Sequence, residues 1–174
     1  MLEAKFEYVW HVYKGHNHNH IDMPGRWSLV YAGGAAASEL TTFLAVDLEY
    51  RRAGVQECVE FLQVELEGGY EPWTGSQTPG LIAAGPDGAL LAGNRHVMFA
   101  SDFAEDDRVV MTTEEALRVL RDVLAVMDHP DYRNPDAHPF SPLTVEVIAT
   151  GEASIEEYWR RGGVTPIMPE KYQR

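Results

Sequence analysis

The stretch RVVMTTEEALRVLRDVLAVM, residues 108–127, combines the pattern of a strand with that of a capped amphipathic helix. Val109 and Met111 alternate with their neighbours, which predicts a half-buried strand. Thr112 precedes Glu115 by three residues, the spacing of a capping box, in which each side chain satisfies a free N–H group of the first helical turn. An apolar stripe follows at helical spacing: Ala116, Leu117, Leu120, Val123, Leu124 and Met127. The sequence therefore predicts a strand followed by a helix that covers a sheet.

Strand patterns on both sides of this stretch predict a mainly antiparallel sheet. Residues 4–14 are rich in aromatic and β-branched side chains and predict a strand that is covered on both faces. Residues 26–31 predict a second strand, most simply its hairpin partner. Gly85-Pro86-Asp87-Gly88 is a turn sequence, which predicts a hairpin between 81–84 and 89–92. Further strands are predicted at 95–101 and 143–150.

Two other segments predict helices. Apolar residues of 54–67 recur at helical spacing, although an alternation from Cys58 to Leu66 keeps a strand open. Residues 155–161 predict a short helix with a capping box formed by Ser154 and Glu157. Residues 38–50 fit either period, and we favour a strand at 41–48. Together these elements predict one domain, residues 1–174, with an α+β fold: a mainly antiparallel sheet with two or three helices packed on one side.

Composition restricts the function. The chain has 27 acidic and 14 basic residues, a net charge of −13, which disfavours unaided binding to nucleic acid or anionic membrane and suits a basic protein partner. The single cysteine, Cys58, excludes an internal disulfide and fits a reducing compartment. The N-terminus lacks a signal-peptide pattern, and no apolar run approaches the roughly 18–20 residues of a membrane span. We therefore expect a cytoplasmic protein.

Three alternating histidines are the first candidate for chemistry. His16, His18 and His20 share one face of an extended chain, and imidazole is a common ligand for zinc, copper or nickel. One hypothesis is therefore a metal-binding protein or small metalloenzyme with a divalent metal at these residues. The alternative is a polar turn, which the intervening asparagines and the preceding Gly15 favour.

A second hypothesis is an acyl-CoA-dependent enzyme. Residues 46–62 resemble the cofactor segment of the GNAT acetyltransferases, in which a strand leads through an Arg-x-x-Gly-x-Gly/Ala loop into a helix. Arg51 and Gly54 carry the resemblance, and Gln56 stands where the family has glycine or alanine. It implies that acetyl-CoA pyrophosphate binds at the helix N-terminus. The alternative is an ordinary turn with solvated arginines.

The sequence predicts no catalytic nucleophile or base. Cys58 lies on the apolar stripe of its helix and is interpreted as a core residue. His96 is interpreted as a core histidine within a strand, and His129 and His138 as loop residues. No Gly-x-Ser-x-Gly elbow is present.

Residues 80–127 resemble the small immunity proteins of bacterial polymorphic toxin systems, particularly those that accompany deaminase and nuclease toxins. A Gly-rich hairpin at 81–92 and a strand that enters a polar-polar-Glu-Ala helix at 111–126 carry the resemblance. Where the family often ends in Cys/Val-x-Trp, this chain has TVEVIATG, residues 144–151. The resemblance implies an acidic, non-enzymatic inhibitor that blocks the active site of a basic toxin domain, with acidic side chains that mimic substrate phosphates.

On this interpretation the partner-binding surface consists mainly of the acidic loop, defined as residues 102–107. The Tyr70–Pro79 loop and the proline loop, defined as residues 129–142, are expected beside it. Aromatic side chains would act as anchors. The predicted partner-binding residues are Asp102, Phe103, Glu105, Asp106, Asp107, Tyr70 and Trp73. No cofactor is predicted apart from the metal of the histidine hypothesis.

Overall fold

Two antiparallel sheets and four α-helices make up the part of the chain that the structure describes. In this computed structural model the described residues are 1–12, 25–68, 81–84, 87–101 and 103–162, with 81–84 and Glu105 described by their backbone alone. The strands are β1 (Leu2–His11), β2 (Arg26–Gly34), β3 (Leu81–Ala84), β4 (Gly88–Gly93), β5 (His96–Ser101), β6 (Val109–Thr112), β7 (Leu143–Val147) and β8 (Ala149–Thr150).

The four α-helices of the described residues lie between groups of these strands or after the last of them. They are α1 (Ser38–Thr42), α2 (Arg52–Leu66), α3 (Thr113–Met127) and α4 (Ala153–Arg160). A π-helix (Phe43–Asp47) continues α1, and short 3₁₀ helices lie at Glu105–Asp107 and Pro130–Arg133. None of the described helices is long and apolar enough to cross a membrane.

The segment 143–150 connects the two sheets. One sheet has the order β2-β1-β7 and the other β3-β4-β5-β6-β8. The first half of the segment, β7, pairs with β1, while the second half, β8, pairs with β6. Between them Ile148 N donates to Val110 O at 2.7 Å. The predicted strand at 143–150 is therefore two strands, each in a different sheet.

The predicted strand and helix of residues 108–127 are confirmed as β6 and α3. Thr112 Oγ1 accepts from Glu115 N at 3.2 Å, as a helix cap should. The Glu115 carboxylate does not complete the capping box, because it accepts from Arg118 and, at 2.9 Å, from Glu146 N of β7. Burial alone would raise the pKa of Glu115, but these hydrogen bonds lower it below its usual range. Glu115 therefore joins α3 to the first sheet.

The main apolar cluster lies between the sheets and helices α1 to α3. It includes Phe6 of β1, Phe99 of β5 and Leu120 of α3, and Phe43 meets Phe99 edge-on at 5.5 Å between ring centroids. This arrangement confirms the α+β fold class with mainly antiparallel sheets.

Helix α4 covers the opposite face of the second sheet, where its Tyr158 packs with Met98, Val110 and Ala149. The prediction of a half-buried β6 is therefore wrong, because Val110 is buried beneath α4. The capping box at Ser154 is also wrong. Ser154 lies inside α4 and is buried, and its hydroxyl donates to Arg108 O at 3.1 Å.

Two predictions for the N-terminal half are wrong. The sides of β1 are not both covered, because Ala4, Phe6 and Tyr8 are buried while the charged residues between them are exposed. Residues 41–48 are helical instead of extended. Leu48 N donates to Phe43 O at 2.9 Å, a hydrogen bond that spans five residues and defines a π-helix. The predicted β1–β2 hairpin pairing, the hairpin of β3 and β4, and α2 are confirmed.

Candidate functional site

Residues 103–107, the described part of the acidic loop, have a backbone held by hydrogen bonds, because the strand before the loop ends in a buried serine. Ser101 Oγ accepts from Phe103 N at 3.1 Å and from Ala104 N at 2.9 Å. Asp107 N then donates to Ala104 O at 3.1 Å and closes the 3₁₀ turn. Such a serine–backbone turn satisfies N–H groups that the sheet leaves free.

Hydrogen bonds from neighbouring elements also hold the loop and the end of the strand before it. Ser38 of α1 donates its hydroxyl to Asp107 Oδ1 at 3.0 Å. The buried Arg108 donates from Nε to Ser101 O at 3.3 Å, and its own carbonyl accepts from Gly151 N at 2.8 Å. The loop is therefore attached to α1, to β5 and to the turn before α4.

Phe103 projects from this braced loop into solvent. Its exposure is 79%. Among the described residues it is the only phenylalanine, tyrosine or tryptophan that is mostly exposed to solvent. Asp106 is exposed beside it and Asp107 is half-buried. An aromatic ring on a fixed acidic loop gains burial only from a binding partner, and the fixed backbone reduces the entropy lost on binding.

The structure does not describe the other predicted partner residues. Asp102, Tyr70, Trp73 and the side chain of Glu105 lie outside the described residues. Of the predicted binding surface the structure therefore brings together Phe103, Asp106 and Asp107.

The proline loop is held near the start of β2, whereas the acidic loop is bonded to Ser38, beyond the end of β2. Trp27 Nε1 donates to Asn134 O at 2.8 Å, and the Trp27 ring meets His138 and Phe140 edge-on. His129 Nδ1 accepts from Asp131 N at 3.0 Å and caps the 3₁₀ helix. These contacts give His129 and His138 packing and capping roles, in agreement with their interpretation as loop residues.

A cavity of about 880 Å³ lies between β2 and the π-helix, and no sequence pattern predicts it. Its walls include Arg26, Leu29, Val46, Tyr50 and Arg51. Val46 is 43% exposed at the cavity, so the cavity opens to solvent. Sites for small organic ligands commonly have this size.

The backbone beside the cavity departs from ordinary helical geometry. Glu49 and Tyr50 have φ values of 51° and 48°, in the left-handed region that costs about 1–2 kcal/mol per non-glycine residue. Tyr50 offsets this cost with two buried hydrogen bonds, accepting from Leu29 N at 2.7 Å and donating to Leu29 O at 3.3 Å. Burial raises the pKa of Tyr50 and keeps its hydroxyl protonated. Strained backbone of this kind often accompanies binding sites.

Arg26 places a cationic side chain in the cavity wall. Its guanidinium lies over the Tyr50 ring, 4.7 Å from the centroid. Its Nε is buried and has no hydrogen-bond partner in the part of the chain that the structure describes. Arg51, also in the wall, lies 3.9 Å from the Glu49 carboxylate.

Three carboxyl groups meet on the other side of the π-helix. Ligand oxygens of Glu39, Asp47 and Asp87 lie within 4.8 Å of one another, and Glu39 and Asp47 are buried. Asp47 Oδ1 accepts from Asp87 N at 2.8 Å and Gly88 N at 3.0 Å. A side chain at Gly88 would stand 2.2 Å from Ala100 O, so only glycine fits. The cluster thus fixes the start of β4 against the π-helix.

The remaining candidates have structural roles or lie outside the described residues. His16, His18 and His20 belong to the undescribed part. Cys58 is 1% exposed, and burial raises the pKa of its thiol to about 12, which suits a core residue. His96 is half-buried, and its Nδ1 lies 2.7 Å from Asn94 O.

The structure does not contain the strand and loop that the acyl-CoA hypothesis expects before α2. The segment before Arg51 is helical instead of extended, and Gly54 lies within the first turn of α2 rather than in a loop before it. Comparisons with protein-family models, curated proteins and solved structures found no match to this chain.

Proposed function

We propose that this chain is a cytoplasmic, non-enzymatic binding domain that neutralises a toxin by covering its active site. The observation that carries the proposal is Phe103, held 79% exposed on a loop whose backbone is fixed from within. A solvent-exposed aromatic side chain on a rigid support is the usual form of an interface anchor.

Charge supports a basic partner. The chain carries a net charge of −13, and Asp106 presents its carboxylate three residues after Phe103. Enzymes that act on nucleic acids have cationic active sites, because their substrates carry a phosphate charge at each nucleotide. An acidic loop that occupies such a site would gain speed of association and specificity from this complementarity.

The proposal also draws on the resemblance of residues 80–127 to immunity proteins of polymorphic toxin systems. The elements that carry this resemblance are the hairpin of β3 and β4 and the strand–helix pair of β6 and α3. Residues 103–107 of the acidic loop lie between β5 and β6, which pair in the same sheet.

The test is capture of a partner from the native host, followed by titration of its activity. We expect the tagged chain to retain one basic nucleic-acid-processing enzyme and to abolish its activity at a one-to-one ratio. Capture of no protein, or of an enzyme that stays active when saturated, would contradict the proposal.

A matched pair of variants locates the interface. Phe103→Ala should weaken binding of the captured enzyme by about tenfold or more, because burial of a phenylalanine side chain is worth about 1.5–3 kcal/mol. Val64→Ala is the control, since Val64 is a 37% exposed apolar residue on α2. It should leave the dissociation constant within about twofold of the wild-type value.

A further inference from the structure

The cavity beside the π-helix has the composition of a site for a small organic acid. Its wall combines the guanidinium of Arg26 with a mainly apolar surface: Leu29, Val30, Thr41, Thr42, Ala45 and Val46. The volume of about 880 Å³ lies at the upper end of the range for drug-sized ligands and is too small for a folded protein segment of substantial size.

The charge of the cavity wall points to an anion. Among the described residues that line it, two guanidinium groups, Arg26 and Arg51, stand against one carboxylate, Glu49, with His11 beside them. With His11 neutral, these described groups carry one net positive charge in a chain whose total is −13. Arg51 is 3.9 Å from Glu49 and is partly compensated. Arg26 forms no ion pair with the described acidic residues.

The position of Arg26 is set before any ligand arrives. The guanidinium stacks on Tyr50 at 4.7 Å, and the Tyr50 hydroxyl is tied to both polar backbone atoms of Leu29. Stacking leaves the in-plane N–H donors available, and this fork of donors matches the two oxygens of a carboxylate. A guanidinium without an acidic partner among the described residues suits a monoanion better than a phosphate, which carries more charge and more acceptor oxygens.

We propose that this cavity binds a small carboxylic acid with an apolar body, with the carboxylate on Arg26 and the body against the π-helix. The proposal does not depend on the toxin-neutralising function, because Phe103 and the acidic loop do not line the cavity.

The test is isothermal titration of the whole chain with 2-naphthoate as the probe. The neutral isostere 2-naphthamide and the phosphate analogue 2-naphthyl phosphate are the comparison ligands. We expect 2-naphthoate to bind about tenfold or more tightly than the amide, as a charge-assisted hydrogen bond predicts. Equal affinity for acid and amide, or tighter binding of the phosphate, would overturn the proposal.

Variants assign the binding to this cavity. Arg26→Gln should reduce affinity for 2-naphthoate to that of the amide, whereas Arg51→Gln should change it by about threefold or less, because Arg51 already has a carboxylate neighbour. Val46→Trp places a large side chain at the open side of the cavity and should abolish binding. If Arg26→Gln does not fold, Val46→Trp decides, since retained affinity in this variant would overturn the proposal.

Discussion

The acidic loop and the cavity hold their candidate binding side chains, Phe103 and Arg26, in different ways. The loop is convex and acidic, and it holds an aromatic ring in solvent through hydrogen bonds to its own backbone. The cavity is concave, and its wall carries a guanidinium held by an aromatic ring that is itself fixed by Leu29. Phe103 is therefore supported by hydrogen bonds of the loop backbone, whereas Arg26 is supported by a neighbouring side chain, Tyr50.

This difference predicts which region contributes more to the free energy of unfolding. The support of Phe103 is local, because Ser101 bonds to residues two and three positions later. The support of Arg26 crosses the fold, because Tyr50 joins the end of the π-helix to β2, 21 residues away in sequence. Changes to the cavity should therefore cost more stability than changes to the loop.

The largest effect is expected for Tyr50→Phe. Loss of the hydroxyl leaves the buried Leu29 N–H and C=O without their partner, at a cost of about 2 kcal/mol in the free energy of unfolding. Denaturant unfolding at neutral pH measures it. A loss smaller than that of Ser101→Ala would break the proposed difference between the two regions.

Ser101→Ala should have a smaller effect than Tyr50→Phe, of about 1 kcal/mol. The two N–H groups that Ser101 Oγ satisfies lie in an exposed loop, where water can replace the hydroxyl. Hydrogen exchange should quicken at Phe103 and Ala104. Binding of 2-naphthoate serves as the control and should not change.

Glu115→Gln should lower stability through a contact that lies outside both the acidic loop and the cavity. The lowered pKa of Glu115 means that its contribution is present above the ordinary carboxyl pKa of 4.5 and is lost as pH falls through the folded-state value. The variant should be less stable by about 1 kcal/mol at pH 7 and should approach wild-type stability in acid. A pH series of unfolding curves measures this, and a constant difference at all pH values would contradict the assignment. Both binding activities should persist.

The sequence predicted elements whose determinants are local. Residues 108–127 carry a cap and an apolar period within one short stretch, so both the strand and the helix were predicted correctly. The sequence also singles out Phe103, because an aromatic residue stands among acids between two predicted strands. The charged residues between Ala4, Phe6 and Tyr8 indicate one exposed face of β1, in contrast to the prediction of a strand covered on both faces.

The sequence could not predict features that depend on distant contacts. The alternation of apolar residues in 41–48 indicated a strand, but the π-helix places Val46 at the open cavity and Asp47 against the turn before β4. Burial of Val110 depends on α4, and the role of Arg26 depends on Tyr50. The cavity was therefore missed, because the residues that form it are brought together only by the fold.

Hydroxyl-radical footprinting of the complex with the captured toxin tests the central claim most directly, since it reports side-chain exposure residue by residue. In the free chain Phe103 and Val46 are both exposed, at 79% and 43%. We predict that complex formation protects Phe103 from oxidation and leaves Val46 unchanged. Protection of Val46 with Phe103 still fully oxidised would contradict the assignment of the acidic loop as the binding surface.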